Sequence, residues 1–371
     1  MKKTCKILSL ILICLLLSSC WDVRQLDDLY LVYGIGVDIS QENPSKYLIT
    51  VAAPTIHSDA KSPKIEISGE GTSLRNAQDN IQNKASRRIT YANTKVFFIS
   101  EEVARQGVIR HIDSLLRDPE GKGTIRLLVV EDKVVDLMTI QPPTSPLVTL
   151  YVNDLLRESH YMSTIPLTTM RRFNNAFKTD GIEPVIPFIR YGSKPDEFLI
   201  NSIALFKGNK MIGKLEEIEG FSFMVLTGEV QGGFMTLPYP SEDTNENPEL
   251  ALRILRGKSN IKTEIKDSQL HIHHQISLVT HLSEFTSPEP VYDKKVIEDM
   301  QKAANLHLEA ICEELIVKLQ NQYESDNIGY GRYVRVNHPE YFDADNWNKQ
   351  FSQAIINIEA DVGIQMVGTV Q

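Results

Sequence analysis

The stretch "KVFFISEEVARQGVIRHIDSLLRDPEGKGTIRLLVVE", Lys95 to Glu131, decides the fold class. Its two ends, Lys95–Ser100 and Ile125–Glu131, are short runs of β-branched and aromatic residues bounded by polar ones, and they read as strands. Between them Val103, Val108, Ile112, Leu115 and Leu116 recur at helical spacing until "RDPEGKG" ends the pattern. Immediately upstream, "TSLRNAQDNIQNKASRRI" (Thr72–Ile89) places Leu74, Ala77, Ile81, Ala85 and Ile89 on one helical face, with Ser73 available as the N-cap. Strand and helix therefore alternate as β-α-β-α-β, which predicts a mixed α/β architecture (α+β overall) with helices packed on a sheet.

Working outward, "LYLVYGIGVDIS" (Leu29–Ser40) and "YLITVAAPT" (Tyr47–Thr55) read as a hairpin, followed by a loop and a short edge strand before Thr72. On the other side "PPTSP" (Pro142–Pro146) breaks the chain ahead of two amphipathic helices, near Leu147–Ser159 and Leu167–Phe177. Strands return at "PVIPFIRY" and at "FLINSIALFKGNKMIGKL", the latter turning at Gly208-Asn209. The main division is expected near Lys194-Pro195, between an N-terminal region over 20–194 and a C-terminal domain over 195–371. Beyond it come a short helix near Leu215–Leu226 and a long hairpin turning at Lys266-Asp267-Ser268. The longest helix, about Val291–Tyr323, carries a stripe at Ile297, Met300, Ala304, Leu308, Ile311, Leu315 and Leu319, so it is expected to lie across a sheet. The terminal segment alternates Ile356, Ile358, Ala360, Val362 and Ile364 with polar residues and reads as a half-buried strand. No internal repeat of fixed period is visible, which argues against solenoids and propellers.

The first nineteen residues have the layout of an export signal: Lys2, Lys3 and Lys6, an apolar run from Ile7 to Leu17, then Ser18 and Ser19. That run is short of the roughly 20 residues a spanning helix needs. Leu17-Ser18-Ser19-Cys20 fits the bacterial lipobox, so residues 1–19 are expected to be removed as a signal peptide. Cys20 is then the expected lipid attachment site, S-diacylglycerated and N-acylated, for example with palmitate. Two or more acyl chains give stable anchoring where one does not.

Removal of residues 1–19 takes three lysines and no acids from 39 basic and 48 acidic side chains, leaving 36 against 48 and a formal charge of −12. Such a surface repels nucleic acid and anionic head groups, so no nucleic acid partner is expected and the lipid must make the membrane contact. Cys5 and Cys14 leave with the signal and Cys20 is acylated, so Cys312 stays as a single thiol without a disulfide partner, expected buried and inert in an amphipathic pattern.

Motifs that carry chemistry are missing. "YGIGVD" (Tyr33–Asp38) and "GYGRYV" (Gly329–Val334) each hold a Gly-x-Gly, without the third glycine of a dinucleotide loop or the glycine-lysine pair of a P-loop. In "HIHHQ" (His271–Gln275), His271 and His273 share a strand face, and a solvated polar face is the ordinary explanation. No nucleophile elbow, zinc helix or calcium loop occurs, and "DADNWN" (Asp343–Asn348) lacks the turn glycine. Catalytic residues, cofactors and metals are accordingly expected to be none.

Several stretches together resemble the Ger(x)C family, the lipoprotein (C) subunits of bacterial spore germinant receptors. "CWDVRQLDDLYLVYGIGVD" is similar to the family's mature start, with a lipidated cysteine, Trp-Asp, and a Gly-x-Gly-x-Asp strand. "GTSLRNAQDNIQNKASRRITYANTKVFFISEEVARQGV", "FKTDGIEPVIPFI", "SIALFKGNKMIGKLEE" and "DNIGYGRYVRVNHPEYFDADNWNKQF" follow in the family's order over essentially the whole mature chain. The chain departs from the family at Ala92-Asn93-Thr94, where Ser-His is usual, and at Gly329-Tyr330-Gly331, where Gly-Phe-Gly is usual. The resemblance implies a three-domain α/β arrangement, two partly interwoven domains in the N-terminal half and one in the C-terminal half. It also implies a non-enzymatic subunit at the outer face of the cell membrane or spore inner membrane. Integral membrane A-type and B-type subunits would be its partners, and Cys20 is the one residue that transfers with a role. Two other classes compete with it. A substrate-binding lipoprotein of an importer needs two similar lobes, and a tethered hydrolase needs a nucleophile or metal set.

Overall fold

The computed structural model describes residues 26–55, 62–142, 144–194, 197–239, 248–287 and 289–365. The N-terminal part contains β1 (Leu29–Leu31), β2 (Gly34–Ile39), β3 (Tyr47–Pro54), β4 (Lys64–Gly71), α1 (Leu74–Gln82), β5 (Arg88–Thr90) and β6 (Val96–Ser100). It continues through α2 (Glu101–Gln106), α3 (Ile109–Arg117), β7 (Arg126–Val130), α4 (Val134–Thr139), α5 (Val148–Tyr161), α6 (Met170–Phe177) and β8 (Val185–Tyr191). Then come β9 (Phe198–Lys207), β10 (Lys210–Leu215), α7 (Glu217–Leu226), β11 (Phe234–Pro238), β12 (Glu249–Lys266) and β13 (Gln269–Phe285). The chain closes with α8 (Lys294–Lys318), α9 (Tyr330–Asn337), α10 (Trp347–Gln353) and β14 (Ile355–Gln365).

Eight strands form one sheet in the order β10-β9-β8-β7-β6-β2-β3-β4. Its centre, β8-β7-β6-β2, is parallel, and an antiparallel pair extends it on each side. Parallel strands are covered on both faces, so their central residues form continuous apolar runs rather than alternating. Phe97, Ile99, Leu127 and Val129 accordingly face one core with α1, α2, α3 and α6, while Val96, Phe98, Leu128 and Val130 face a second with α4 and α5. The second core runs without a break into the C-terminal half, where it includes Leu252, Ile272, Leu308 and Leu315. The expected division at 194/195 falls between β8 and β9, which are neighbours in this sheet.

The C-terminal sheet has the order β11-β12-β13-β14, with β14 parallel to β13. Asp267 and Ser268 turn the long hairpin with φ of 50° and 65°, the pair of positive values that a two-residue turn between twisted strands requires. Helix α8 lies along β14 with Met300, Ala304, Leu308, Cys312 and Leu315 buried. It also closes the sheet's open edge. Asn305 Oδ1 accepts from Val362 N at 2.8 Å and Glu309 Oε1 from Ala360 N at 2.9 Å, so these edge N–H groups cannot template another strand.

The structure differs from the sequence expectation in three ways. The Thr72–Ile89 helix ends at Gln82, although Ser73 does cap it at 3.2 Å, and Ile89 belongs instead to β5, which pairs with β1. The helix expected after Ser100 is two helices, because Gly107 adopts φ 128° and Val108 N donates to Asn209 O at 3.0 Å. Helices α4, α9 and α10 were not foreseen, each being too short for periodicity to register.

Candidate functional site

Cys20 lies outside the described residues. The first described residues after it form an exposed turn at Leu26–Asp28, from which β1 docks in parallel against β5. No helix among the described residues is long and apolar enough to cross a membrane.

The Gly-x-Gly-x-Asp strand is explained by packing. A Cβ on Gly34 would collide with Thr149 of α5 and one on Gly36 with Val134 of α4, so the glycines let both helices lie directly on β2. Asp38 then caps α4, its two oxygens accepting from Val134 N at 2.8 Å and Val135 N at 2.9 Å. Burial pushes its carboxyl up to about 6 against the pull of those two N–H donors.

The second Gly-x-Gly belongs to a buried polar constellation built on Asp326. This carboxylate is fully buried and accepts from Gly329 N at 2.7 Å, Gly331 N at 2.8 Å and Trp347 Nε1 at 2.8 Å. Burial pushes its carboxyl up to about 6, opposed by the N–H donors around it. The neighbouring groups reach the N-terminal sheet. Glu183 N donates to Asp326 O at 2.9 Å, and Asn327 Nδ2 donates to Pro184 O and Phe206 O, both at 3.0 Å. Glu183 in turn accepts from Gly208 N at 2.6 Å and Asn348 Nδ2 at 2.7 Å. Gly181 (φ 86°) and Gly331 pass backbone against backbone, and a Cβ on Gly331 would also sit 2.5 Å from Trp347 Cε2. The segment from Ser325 to Gly331 is therefore a clasp that fastens the end of α8 and the helices after it to the ends of β8 and β9.

A further buried chain starts in the histidine cluster. His274 is wholly buried, with Nδ1 2.8 Å from Tyr330 Oη and Nε2 2.6 Å from Ser259 Oγ, while Ser259 donates to Leu226 O at 3.0 Å. Because the single Ser259 proton is directed to Leu226, Nε2 carries the imidazole proton and Nδ1 accepts from Tyr330. Burial lowers His274 to about 4, which keeps it neutral. His273 instead meets Glu264 at 2.9 Å on the partly exposed face. Among the described residues no group of three His, Cys, Asp or Glu is placed to hold a metal. Cys312 is fully buried and burial pushes its thiol up. Sequence reading missed Asp326, Asn327 and His274. The density of glycines and small polar residues in "SDNIGYG" was the available signal for the first two, and the in-facing parity of His274 with Ile272 and Ile276 for the third.

Comparison with known proteins follows the same two halves. Residues 22–191 match the family described as spore germination protein N-terminal domain, and residues 201–368 match spore germination B3/GerAC like, C-terminal. Spore germination protein B3 of Bacillus subtilis (strain 168) is 21% identical over 100% of both chains. Spore germination protein KC of the same organism is 24% identical over 95% of this chain and 93% of its own. The crystal structure of the GerBC protein superposes with a TM-score of 0.60 at 17% identity, covering 92% of this chain and 99% of that one.

Proposed function

We propose, because the chain belongs to the Ger(x)C family of spore germination proteins, that it is the lipid-anchored, non-catalytic subunit of a germinant receptor, required for nutrient-triggered germination. The observation that carries this reading is the match of both family profiles, which together run from residue 22 to residue 368. Anchoring is assigned to Cys20, acylated at the outer face of the cell membrane or spore inner membrane, and supported by the lipobox and by the short apolar run before it. Integral A-type and B-type subunits are the proposed partners. The division into an N-terminal region of two interwoven subdomains (20–194) and a C-terminal domain (195–371) is part of the same proposal, and the break between the two family profiles supports it. A non-catalytic role accords with the principal buried polar groups, Asp38, Asp326 and His274, each engaged in holding backbone or core together. The importer alternative calls for two similar lobes, whereas an eight-stranded and a four-stranded sheet differ in size and order.

The test has two arms. Cys20→Ala should release the protein from the membrane fraction, and deletion of the gene should abolish germination in at least one single nutrient. Normal germination in every nutrient, with no paralogue present, refutes the receptor role. Membrane retention of the Cys20→Ala protein in cells lacking the integral subunits refutes the anchor.

A further inference from the structure

The formal charge of −9 is spread unevenly over the molecule. On β12 the pairing with β13 passes from Ile254 with Thr280 to Arg256 with Val279, so Leu255 is an extra residue, a bulge. A bulge reverses the parity of the strand, which brings Arg253 before it and Arg256, Lys258 and Lys262 after it to the same outer face. All four are exposed and have no carboxylate partner among the described residues. Their neighbours across β13 are His281, Val279, Ser277 and His273, none of them acidic. The acids of this face stand at its margins: Glu264, engaged by Lys266 and His273, Glu284 opposite Ala251, and Glu359 and Asp361 on β14, two strand spacings or roughly 9.5 Å away. Guarding a strand edge is a common task of such cations. Here other elements do it, since Val230 lies against Gly257 and His338 Nε2 donates to Thr263 O at 2.9 Å.

Beside this column stands an apolar patch. Phe234 lies directly opposite Arg253 on the same face and is 52% exposed, and Leu255 in the bulge is 37% exposed. Tyr161, at the end of α5, is 51% exposed with its ring against Gly232, and Met162 follows at 41% beside Gly233. The turn that presents these two is fixed. Ser163 is wholly buried in the left-handed region at φ 59°, its Oγ accepting from Gln231 N at 3.0 Å and Gly232 N at 3.2 Å and donating to Gly232 O at 2.9 Å. A residue other than glycine stays in that region only where its surroundings hold it there, so the two side chains before it are kept out in water by construction. Half-exposed aromatic and aliphatic side chains next to unpaired cations are the combination by which peripheral proteins meet an anionic lipid surface.

We propose that the β11–β12 margin of the C-terminal sheet docks on an anionic bilayer, Arg253, Arg256, Lys258 and Lys262 meeting lipid phosphates while Phe234, Leu255 and Tyr161 enter the layer beneath. The placement of the body next to a bilayer rests on the reading of Cys20 as the anchor, since Leu26 follows it by six residues and lies within about 22 Å of it even in a fully extended chain. The contact itself uses none of the anchor's groups. It sets the orientation of the body on the membrane, which a tether alone leaves free.

Flotation of the chain from Trp21 onward, which holds every described residue and no acyl chain, with lipid vesicles tests it. The protein should float with vesicles of phosphatidylcholine containing about 30% phosphatidylglycerol and remain behind with phosphatidylcholine alone. It should bind at about 0.1 M salt and come off at about 1 M, where the Debye length falls from about 10 Å to about 3 Å. One cation near such a surface is worth about fivefold in partitioning, so Arg256→Gln with Lys258→Gln should weaken it about 25-fold. Lys295→Gln with Lys302→Gln makes the same change of net charge on α8, which packs against the inner face of the sheet, and should leave partitioning unaltered. Phe234→Trp, in a Trp21→Phe background, should shift its emission to the blue on anionic vesicles. No flotation, equal flotation with both vesicle types, or equal weakening by the two pairs of substitutions overturns the proposal and leaves the face to a protein partner or to water. Because the docked protein is washed off at about 1 M salt, release of the Cys20→Ala protein at that salt tests the anchor alone, and neither result decides the other.

Discussion

Replacing Gly331 by alanine probes the clasp most sharply. The added methyl would stand 2.5 Å from Trp347 Cε2 on one side and inside van der Waals contact with the Gly181 backbone on the other. Carbon atoms settle near 3.5–4.0 Å apart, so a gap of roughly 1 Å must open on both sides. Neither neighbour is the free end of a flexible chain. Overpacking of this kind costs about 1–3 kcal/mol. Displacing Trp347 also stretches its 2.8 Å bond to the buried Asp326 carboxylate, and a hydrogen bond to a charged group is worth about 1.5–3 kcal/mol. The expected loss is therefore about 2.5–6 kcal/mol, a large share of the roughly 5–15 kcal/mol that holds a domain folded. Gly208→Ala is the internal control. Gly208 has φ 60° but nothing within 4 Å of the position a Cβ would take. There only the left-handed penalty of about 1–2 kcal/mol applies, partly offset by about 0.4–1 kcal/mol from the stiffer unfolded chain. Urea unfolding followed by the fluorescence of Trp347, in a Trp21→Phe background that removes the other tryptophan, measures both. A Gly331→Ala protein no less stable than Gly208→Ala would refute the idea that backbone contact between residues 181 and 331 fastens the two halves.

The other predictions concern single buried groups. His274 is held neutral with its titration lowered to about 4, whereas an unfolded imidazole titrates near 6.5, so its contribution is intact above pH 6.5 and is lost as pH falls toward 4. His274→Gln should remove that loss, gaining about 3 kcal/mol on the parent between pH 7 and pH 4; parallel stability curves would contradict the buried neutral imidazole. Asp38→Ala strips both caps from α4 and should cost about 2 kcal/mol, read as a lower urea midpoint, with no effect expected if water can replace the carboxylate. Asn305→Ala and Glu309→Ala each unpair one edge amide of β14. Each should cost about 1–3 kcal/mol, with hydrogen exchange speeding selectively at Val362 and Ala360 respectively; unchanged protection there would show that the helix does not guard the edge.

What was legible in the chain and what was not divide along a physical line. The runs Val96–Ser100 and Arg126–Val130 could be read as strands because burial on both faces makes four consecutive positions in each apolar, Val96–Ile99 and Leu127–Val130, a property each segment carries by itself. The same holds for the alternation in β14 and the stripe on α8, where the period of the element is written into its own residues. Gly107 defeated the reading locally: apolar spacing survives a kink, so Val103 and Val108 look like one helix although a residue at φ 128° separates them. The clasp defeated it for a different reason. Asp326 bonds backbone N–H groups, which every residue but proline possesses, and Gly331 matters because Gly181 lies against it 150 positions earlier in the chain. Nothing in either residue names its partner. The two Gly-x-Gly stretches make the distinction plain, since the pair on β2 admits two helices and the pair in the clasp admits one backbone and an indole, and only topology separates those uses from a phosphate loop. The character of each half follows from side-chain apolarity, which is local. Their attachment to each other follows from backbone donors and missing side chains whose meaning exists only once the chain has folded.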